Sequence, residues 1–182
     1  MRVRIKTIGF LFAGLLSSWA FVQAGSGQEQ QTGLKSDEEA IRAFVEQYGA
    51  YETSGPNGEY TSEKEHVVFE GCRLTVHVEA VGADGPPYKR ETIKFDVVID
   101  LKKMDAKALA APKDLNGNTL PDGREWIILK TVDGQEWIVK KRGETMVSAS
   151  SAWQIPGGAN HEENQKVADA FGRVVAGCGH GK

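Results

Sequence analysis

Arg73-Leu74-Thr75-Val76-His77-Val78-Glu79 is the stretch that decides the fold, because polar and apolar side chains alternate along it. Residues 93–101 repeat this alternation. A period of two is typical of a β-strand with one buried face and one solvent-facing face. Residues 82–87 contain turn-forming Gly and Pro, so the two strands are predicted to pair antiparallel.

Shorter strands are predicted on both sides of this pair. Val67 and Phe69 alternate in an odd phase, whereas Leu74 begins an even phase, and a β-bulge at Gly71 is expected to absorb the difference. The pattern of residues 102–111 leaves a short helix and an edge strand equally open.

A hairpin is predicted downstream at Asp133-Gly134, because both positions of a tight turn need positive φ. Counting outward from this turn pairs Leu129 with Ile138. A second turn at Arg142-Gly143 would pair Ile138 with Val147 and extend the meander.

Helical patterns flank the strands. Ser36 to Glu39 have the spacing of a capping box, and apolar side chains follow at helical intervals up to Tyr48. Near the C-terminus Asn160 can cap a helix whose apolar stripe runs from Val167 to Cys178. The predicted fold class is α+β: an N-terminal helix, a curled antiparallel sheet or partly open barrel of about six to seven strands, and a closing C-terminal helix.

The N-terminal region has the pattern of an export signal. Residues 1–6 are basic, residues 8–22 are apolar, and Val22-Gln23-Ala24 places small residues where a signal peptidase cleaves. We predict a signal peptide at 1–24, a flexible leader at 25–35 and a single domain at 36–182. The alternative is an uncleaved anchor, although its apolar stretch is shorter than the roughly 20 residues that cross a bilayer. The expected location is periplasmic or extracellular.

Composition and charge narrow the classes of function. Of 182 residues, 40% are hydrophobic and 26% charged, which is typical of a folded globular chain. The precursor has a net charge of −3, and removal of the basic signal would make the chain more acidic. This argues against nucleic-acid binding, which depends on basic surfaces. No second long apolar run follows the signal, so no membrane span is expected after cleavage.

Cys72 and Cys178 are the only two cysteines. An exported protein matures in an oxidising compartment, where two thiols tend to pair. Cys72 shares the phase of the core-facing Leu74, and Cys178 lies on the apolar stripe of the last helix, so a structural disulfide is predicted. Two buried free thiols are the alternative.

A candidate calcium loop covers residues 114–125. Side-chain oxygens recur there at the ligand positions of a twelve-residue calcium loop, in Asp114, Asn116, Asn118, Asp122 and Glu125. The segment resembles the acidic stretches of extracellular thrombospondin type three-like repeats, which implies weak calcium binding. The same Asn-Gly-Asn and Pro-Asp-Gly sequences are also common in ordinary turns.

Motifs for catalysis, cofactor binding and zinc binding are not found in the sequence. The four histidines have no zinc-site spacing, and the chain lacks a nucleophile elbow and a Gly-rich nucleotide loop. No catalytic residue and no cofactor other than calcium is therefore predicted. The basic turn Lys140-Lys141-Arg142 could attract an anionic group or simply be solvated.

One resemblance concerns most of the domain. Residues 65–180, with several strands closed by a helix that begins Val167-Ala168-Asp169-Ala170-Phe171 and ends at Cys178-Gly179, look like exported bacterial domains of uncharacterised function with a pleckstrin-homology-like barrel. The resemblance implies a barrel capped by the helix and a binding scaffold without a specified ligand.

A second resemblance is confined to one helix. Residues 37–48, Asp-Glu-Glu-Ala-Ile-Arg-Ala-Phe-Val-Glu-Gln-Tyr, are similar to the first helix of ketosteroid-isomerase-like domains. The two helices that follow in that family are not evident, so no reaction or site residue is carried over.

Two functions are therefore expected. The first is a non-enzymatic exported binding or interaction module, for an unknown protein or small-molecule ligand, because no nucleophile or acid is paired with a base. The alternative is a ketosteroid-isomerase-like small enzyme or ligand carrier. Inward-facing Asp, Tyr or His side chains in the sheet would favour the alternative, and a filled apolar interior would favour the first.

Overall fold

The computed structural model describes residues 19–54, 60–83, 91–120 and 123–179. The chain divides into two compact units, Met1–Gly33 and Leu34–Lys182. Residues 19–33 of the first unit belong to helix α1, which spans Trp19–Tyr48. The second unit contains the remainder of α1 and all the strands.

Helix α1 begins earlier than the capping box predicts. The helix already includes Trp19, the first residue that the structure describes, so residues 25–35, predicted as a flexible leader, are helical. Glu and Gln at residues 28–31 have good helix propensity, and lengthening an existing helix adds one hydrogen bond per residue without a new nucleus. Residues 1–18 lie outside the described part of the chain, and the predicted signal boundary stays a prediction.

The larger sheet has six antiparallel strands in the order β1-β2-β3-β4-β7-β8. Its strands are β1 (Ala50–Ser54), β2 (Tyr60–Glu70), β3 (Arg73–Ala83), β4 (Glu91–Asp100), β7 (Ile138–Arg142) and β8 (Thr145–Ser150). The predicted pairing of residues 73–79 with residues 93–101 is confirmed, with Val76 opposite Val97.

A smaller sheet has three antiparallel strands, β5 (Leu109–Ala111), β6 (Trp126–Lys130) and β9 (Ala152–Pro156). Helix α2 (His161–Gly179) ends the described chain. Residues 102–111, which the pattern left open, form the end of a 3-10 turn (Leu101–Lys103) and then β5. The α+β class with a helix at each end is confirmed, but the strands form two open sheets, and β1 and β8 are the edges of the larger one.

The hairpin predicted at Asp133-Gly134 is wrong. Leu129 pairs with Trp153 of β9, and Ile138 pairs with Ile99 of β4, so the turn connects the two sheets. Residues 126–129 are all buried, which places β6 between two partners in the interior instead of in a half-exposed meander. The Asp133 carboxylate accepts hydrogen bonds from Gln135 N (2.9 Å) and Trp137 Nε1 (3.2 Å), so the turn is closed locally.

Two predicted registers also differ from the structure. Glu70 and Arg73 are paired, so Gly71 and Cys72 form a two-residue hairpin turn, and no bulge is needed to change the phase. At the next turn β7 and β8 do pair, but Ile138 lies opposite Ser150 instead of Val147. A register shift between Lys140 and Lys141 causes part of this difference, and sequence spacing alone does not reveal such a shift.

The core lies on one side of the six-stranded sheet, which we call the core face. Its buried strand residues come from β2, β3, β4 and β7: Val67, Leu74, Val76, Val78, Phe95, Val97, Ile99 and Ile138. These residues belong to one apolar cluster with Phe44 of α1, Ile127 of β6 and Phe171 of α2. The other face of β6 belongs to a second cluster around Leu120, Trp126 and Ile128, against which Tyr51 packs.

The two helices are anchored by polar contacts as well. The Asn160 side chain accepts hydrogen bonds from Glu162 N (3.0 Å) and Glu163 N (3.3 Å), which confirms the predicted cap of α2. Arg173 of α2 makes two hydrogen bonds to Asp37 of α1, at 2.8 and 2.9 Å. In the described residues, neither helix combines the length and apolar character required to cross a membrane.

Gly71 provides a test of the first hairpin. Its φ is +59°, and a Cβ atom built on it meets no atom within 4 Å, so the cost of Gly71→Ala comes from the backbone alone. We expect a loss of about 1 to 2 kcal/mol in the free energy of unfolding measured with urea. Gly82→Ala is the control, because Gly82 has equal space but no positive φ. Equal stability of both variants would contradict the turn geometry.

Candidate functional site

The core face changes from apolar to polar along β2. Phe69 and Val67 point to the core, and the same alternation then places Glu65 and Glu63 on the core face, opposite Val78 and Ala80 of β3. Glu65 is only 3% exposed. A sheet that is apolar over most of one face therefore ends in two inward carboxyl groups.

Tyr51 of β1 joins these carboxyl groups, since it lies opposite Glu63 and its hydroxyl donates a hydrogen bond to the Glu63 carboxyl. Burial raises the pKa of Tyr51, and the charge of Glu63 raises it further, so the phenol stays neutral. Burial also raises the pKa of Glu63, while the hydrogen bond from Tyr51 and the charge of Lys140 act in the opposite direction.

Glu65 is the most deeply buried of the three. Burial raises the pKa of its carboxyl well above the ordinary value, and the charge of Glu63 adds to this effect. Glu65 is thus held as a neutral acid over a wider range of pH than a surface Glu. We call Tyr51, Glu63 and Glu65 the inner cluster.

Lys140 of β7 also lies on the core face, opposite Val97. Its Nζ is 3.6 Å from the centroid of the Phe95 ring, a cation-π contact, and its charge acts on Glu63. The next residue, Lys141, pairs with Asp96 on the outer face. The basic residues predicted at Lys140-Lys141-Arg142 therefore do not all lie on one face of the sheet. Lys140 faces inward and Lys141 faces outward.

A pocket of about 330 Å³ opens beside Lys140, and we call it the inner pocket. Its wall is formed by β4, β7, β8, β9 and the loop after β5: Val97, Leu115, Asn116, Ile138, Lys140, Ser148, Ser150, Ala152, Trp153 and Gln154. This volume is at the lower end of the range for small-molecule sites, and half of the wall residues are polar.

Several buried polar atoms around the inner cluster and pocket have no hydrogen-bond partner among the described residues. They are Glu65 Oε2, Trp126 Nε1 and Trp153 Nε1. Trp126 contacts Tyr51 edge to face at 5.8 Å, and Trp153 lines the pocket. Buried polar atoms are usually paired, so each of these three atoms is an unsatisfied polar group inside the protein.

The proposed calcium residues do not converge in the described structure. Asp114 accepts hydrogen bonds from Asn116 N (2.8 Å), Asn118 N (2.6 Å) and Asn118 Nδ2 (2.9 Å), so its carboxylate closes its own turn. Burial acts to raise its pKa, but these hydrogen bonds outweigh burial and lower it. Asp122 lies outside the described residues.

Glu125 points elsewhere. Its carboxylate is 3.0 Å from His161 Nδ1 and accepts a 3.0 Å hydrogen bond from Asn164 Nδ2, at the start of α2. Within the described ranges, no group of three or more His, Cys, Asp or Glu side chains could hold a metal ion. Calcium binding at residues 114–125 stays a prediction.

Cys72 and Cys178 are brought together at disulfide distance, with their Cα atoms 5.5 Å apart. Cys72 lies in the β2–β3 turn and Cys178 in the last turn of α2, so the pair connects the helix to the edge of the core. Their proximity agrees with the prediction from phase.

The outer face of the sheet carries a second polar group. His66 and His77 lie opposite each other with ring centroids 6.2 Å apart, in a groove of about 410 Å³. His77 Nδ1 is 2.7 Å from Asp96 Oδ1, and His66 Nδ1 is 3.6 Å from Glu46 Oε1. Both rings are about half exposed and interact with surface carboxylates, which is typical of a solvated sheet face.

Sequence reasoning did not identify the inner cluster or Trp153. One signal was present: the odd phase of Val67 and Phe69 continues backward through Glu65 and Glu63. Two acids in core phase break the apolar pattern, and such breaks occur at functional or strained sites.

The chain matches no protein-family model, no curated protein and no solved structure. The resemblances to pleckstrin-homology-like barrels and to ketosteroid-isomerase-like domains therefore stay predictions, and function is argued from the geometry of the inner pocket.

Proposed function

We propose that the chain is an exported binding module that holds a small molecule in the inner pocket. The observation that carries this proposal is the pocket of about 330 Å³, whose wall combines apolar side chains such as Val97 and Ile138 with polar ones such as Lys140.

Export is supported by two separate features. The basic, apolar and small-residue regions of residues 1–24 follow one another in the order of a signal peptide. Cys72 and Cys178 lie at disulfide distance, and disulfides persist mainly outside the cytoplasm.

The inner cluster bears on the choice between the expected functions. The inner cluster has one inward Tyr and two inward Glu residues, so the interior is not filled by apolar side chains alone. This favours a function as a ligand carrier. Binding is favoured over catalysis because Glu65 is only 3% exposed, so its carboxyl is scarcely open to a substrate.

A saturable shift of the Trp153 indole N–H signal would test the proposal. The exported protein with ¹⁵N-labelled Trp is titrated with 2-heptanone, heptanoate and 2-aminoheptane, which share a chain but differ in charge. We expect at least one to shift the Trp153 signal with a Kd in the millimolar range or below, and to leave exposed Trp137 unchanged. Failure of all three would overturn the proposal.

Two neighbouring substitutions on β8 locate the binding. Ser148 lines the pocket and is exposed, so Ser148→Phe should fill the space without unfolding the protein and abolish the shift. Ala149 pairs with Val139 on the opposite face, so Ala149→Phe should bind as wild type does. Equal effects of the two variants would place the ligand elsewhere.

A further inference from the structure

Two histidines on the outer face of the sheet are brought opposite each other by the β2–β3 hairpin. His66 of β2 pairs in register with His77 of β3, and the two rings are nearly parallel, with 17° between their planes. The sequence gives them no metal-site spacing, so strand pairing alone makes them neighbours. Directly opposed residues of antiparallel strands have Cβ atoms about 5 Å apart, which lets two imidazole rings reach one ion.

Each ring has a carboxylate beside its Nδ1 atom. His77 Nδ1 is 2.7 Å from Asp96 Oδ1, and His66 Nδ1 is 3.6 Å from Glu46 Oε1. Because a carboxylate accepts hydrogen bonds, Nδ1 of His77 is the donor, and Nε2 is the nitrogen that can offer a lone pair. Metal-binding histidines usually donate their other N–H to a carboxylate or carbonyl, which fixes the tautomer. Asp96 therefore favours the form of His77 that binds a metal ion through Nε2.

The distance between the rings fits a shared ion after a small movement. A tetrahedral metal ion about 2.1 Å from each nitrogen sets the two ring centroids roughly 5 Å apart. The centroids are 6.2 Å apart in the structure, so they must approach by about 1 Å. Both rings are about half exposed, and exposed side chains change rotamer within nanoseconds, so this approach needs no change in the backbone.

Solvent has access to the remaining positions around such an ion. The two histidines lie in an open groove of about 410 Å³. Within the described ranges no group of three or more His, Cys, Asp or Glu side chains could hold a metal ion, so the chain supplies two ligands here and water supplies the others. A site of this kind binds more weakly than a structural zinc site with four protein ligands.

We propose that His66 and His77 together bind one late first-row transition-metal ion, such as Zn²⁺, Ni²⁺ or Cu²⁺, with Asp96 as a positioning residue for His77. Imidazole nitrogens suit these ions, whereas Ca²⁺ and Mg²⁺ prefer oxygen ligands. The site lies on the face of the sheet opposite to Lys140 and does not depend on the small-molecule binding proposed above.

Calorimetry and NMR of exported protein without an affinity tag test the proposal. Since two of the four ligands of a structural zinc site are present, we expect one Zn²⁺ per chain with a Kd of roughly 1 to 100 µM. The Cε1 proton signals of His66 and His77 should shift together along one saturation curve, and Ca²⁺ should leave both signals unchanged. Separate curves for the two histidines would show two independent ions and overturn the shared site.

Single substitutions test whether both rings are needed. His66→Gln and His77→Gln should each weaken Zn²⁺ binding at least tenfold, with the fold verified by circular dichroism. His161→Gln is the matched control, because His161 is also exposed and lies 3.0 Å from a carboxylate, that of Glu125, but is located at the start of α2. Loss of binding in only one of the two sheet variants, or an equal loss in the control, would overturn the proposal.

Asp96→Asn tests the positioning residue. Loss of a carboxylate behind a metal-binding histidine typically weakens metal binding tenfold or more, so we expect a Kd about tenfold higher. Asp100→Asn is the control on the same strand and the same face, because Asp100 lies opposite Arg73 and not opposite a histidine. Equal Zn²⁺ affinities of the two Asn variants would overturn the role assigned to Asp96.

Discussion

Replacing both Cys72 and Cys178 by Ala is expected to lower the free energy of unfolding by about 4 to 5 kcal/mol. The two residues are separated by 106 positions, so a bond between them restricts most of the unfolded chain. In the loop-entropy model the stabilisation grows with the length of the closed loop. The folded state should persist, because Cys178 is only a partly buried neighbour of the core, whose fully buried members include Phe171 and Leu74.

Urea unfolding of exported protein, with and without reductant, measures this effect. Wild type in reductant should unfold at the same urea concentration as the double Ala variant, which is itself insensitive to reductant. Denatured wild-type protein should show no reactive thiol until reductant is added. Labelling of both cysteines before reduction would contradict the bond.

The second large effect concerns Glu65. Since burial raises its pKa in the folded state well above that of an unfolded Glu, the folded chain binds the proton more tightly than the unfolded chain. The contribution of Glu65 to stability is therefore greatest below the unfolded pKa, about 4.3, and falls as pH rises toward the folded pKa. Each pH unit between the two pKa values is worth about 1.4 kcal/mol.

Glu65→Gln removes this proton equilibrium while keeping the shape of the side chain. We expect the variant to be more stable than wild type by about 1 to 3 kcal/mol at pH 8 and to differ little at pH 4. The measurement is urea unfolding across this range of pH.

Glu79→Gln is the matched control, because Glu79 lies on the outer face, is about half exposed and pairs with Lys94 at 2.8 Å. It should change stability by less than about 1 kcal/mol at either pH. Parallel pH curves for wild type and Glu65→Gln would show that the carboxyl is not held in its neutral form.

The local sequence was enough to predict those elements whose side-chain pattern or cap depends only on nearby residues. The alternation of residues 73–79 is strict and that of residues 93–101 is broken only at Val98, so a one-residue slip would expose most of the apolar side chains, and both strands and their pairing follow from the pattern. Asn160 caps α2 through hydrogen bonds to the next few residues, which depend only on nearby sequence. The meeting of Cys72 and Cys178 also follows from phase.

Tertiary structure decided which strands share a sheet. Asp133-Gly134 favours a turn, but a turn does not specify whether the strands beside it pair with each other. Residues 126–129 bury side chains on both faces of β6. Only an interior position between β5 and β9 keeps both of these faces away from water. The two-residue turn at Gly71 and the register of β7 against β8 were likewise settled by pairing over the whole strand.

The candidate site depends on tertiary structure most of all. Glu65 and Lys140 are charged residue types that the sequence alone assigns to solvent, and their inward direction results from strand phase within the assembled sheet. Trp153 lines the pocket because β9 pairs with β6 across the core, far from its neighbours in sequence. Sequence determines the side chains and their alternation, whereas burial, partners and hence pKa arise only when distant strands come together, because desolvation and Coulomb interactions depend on distance in space.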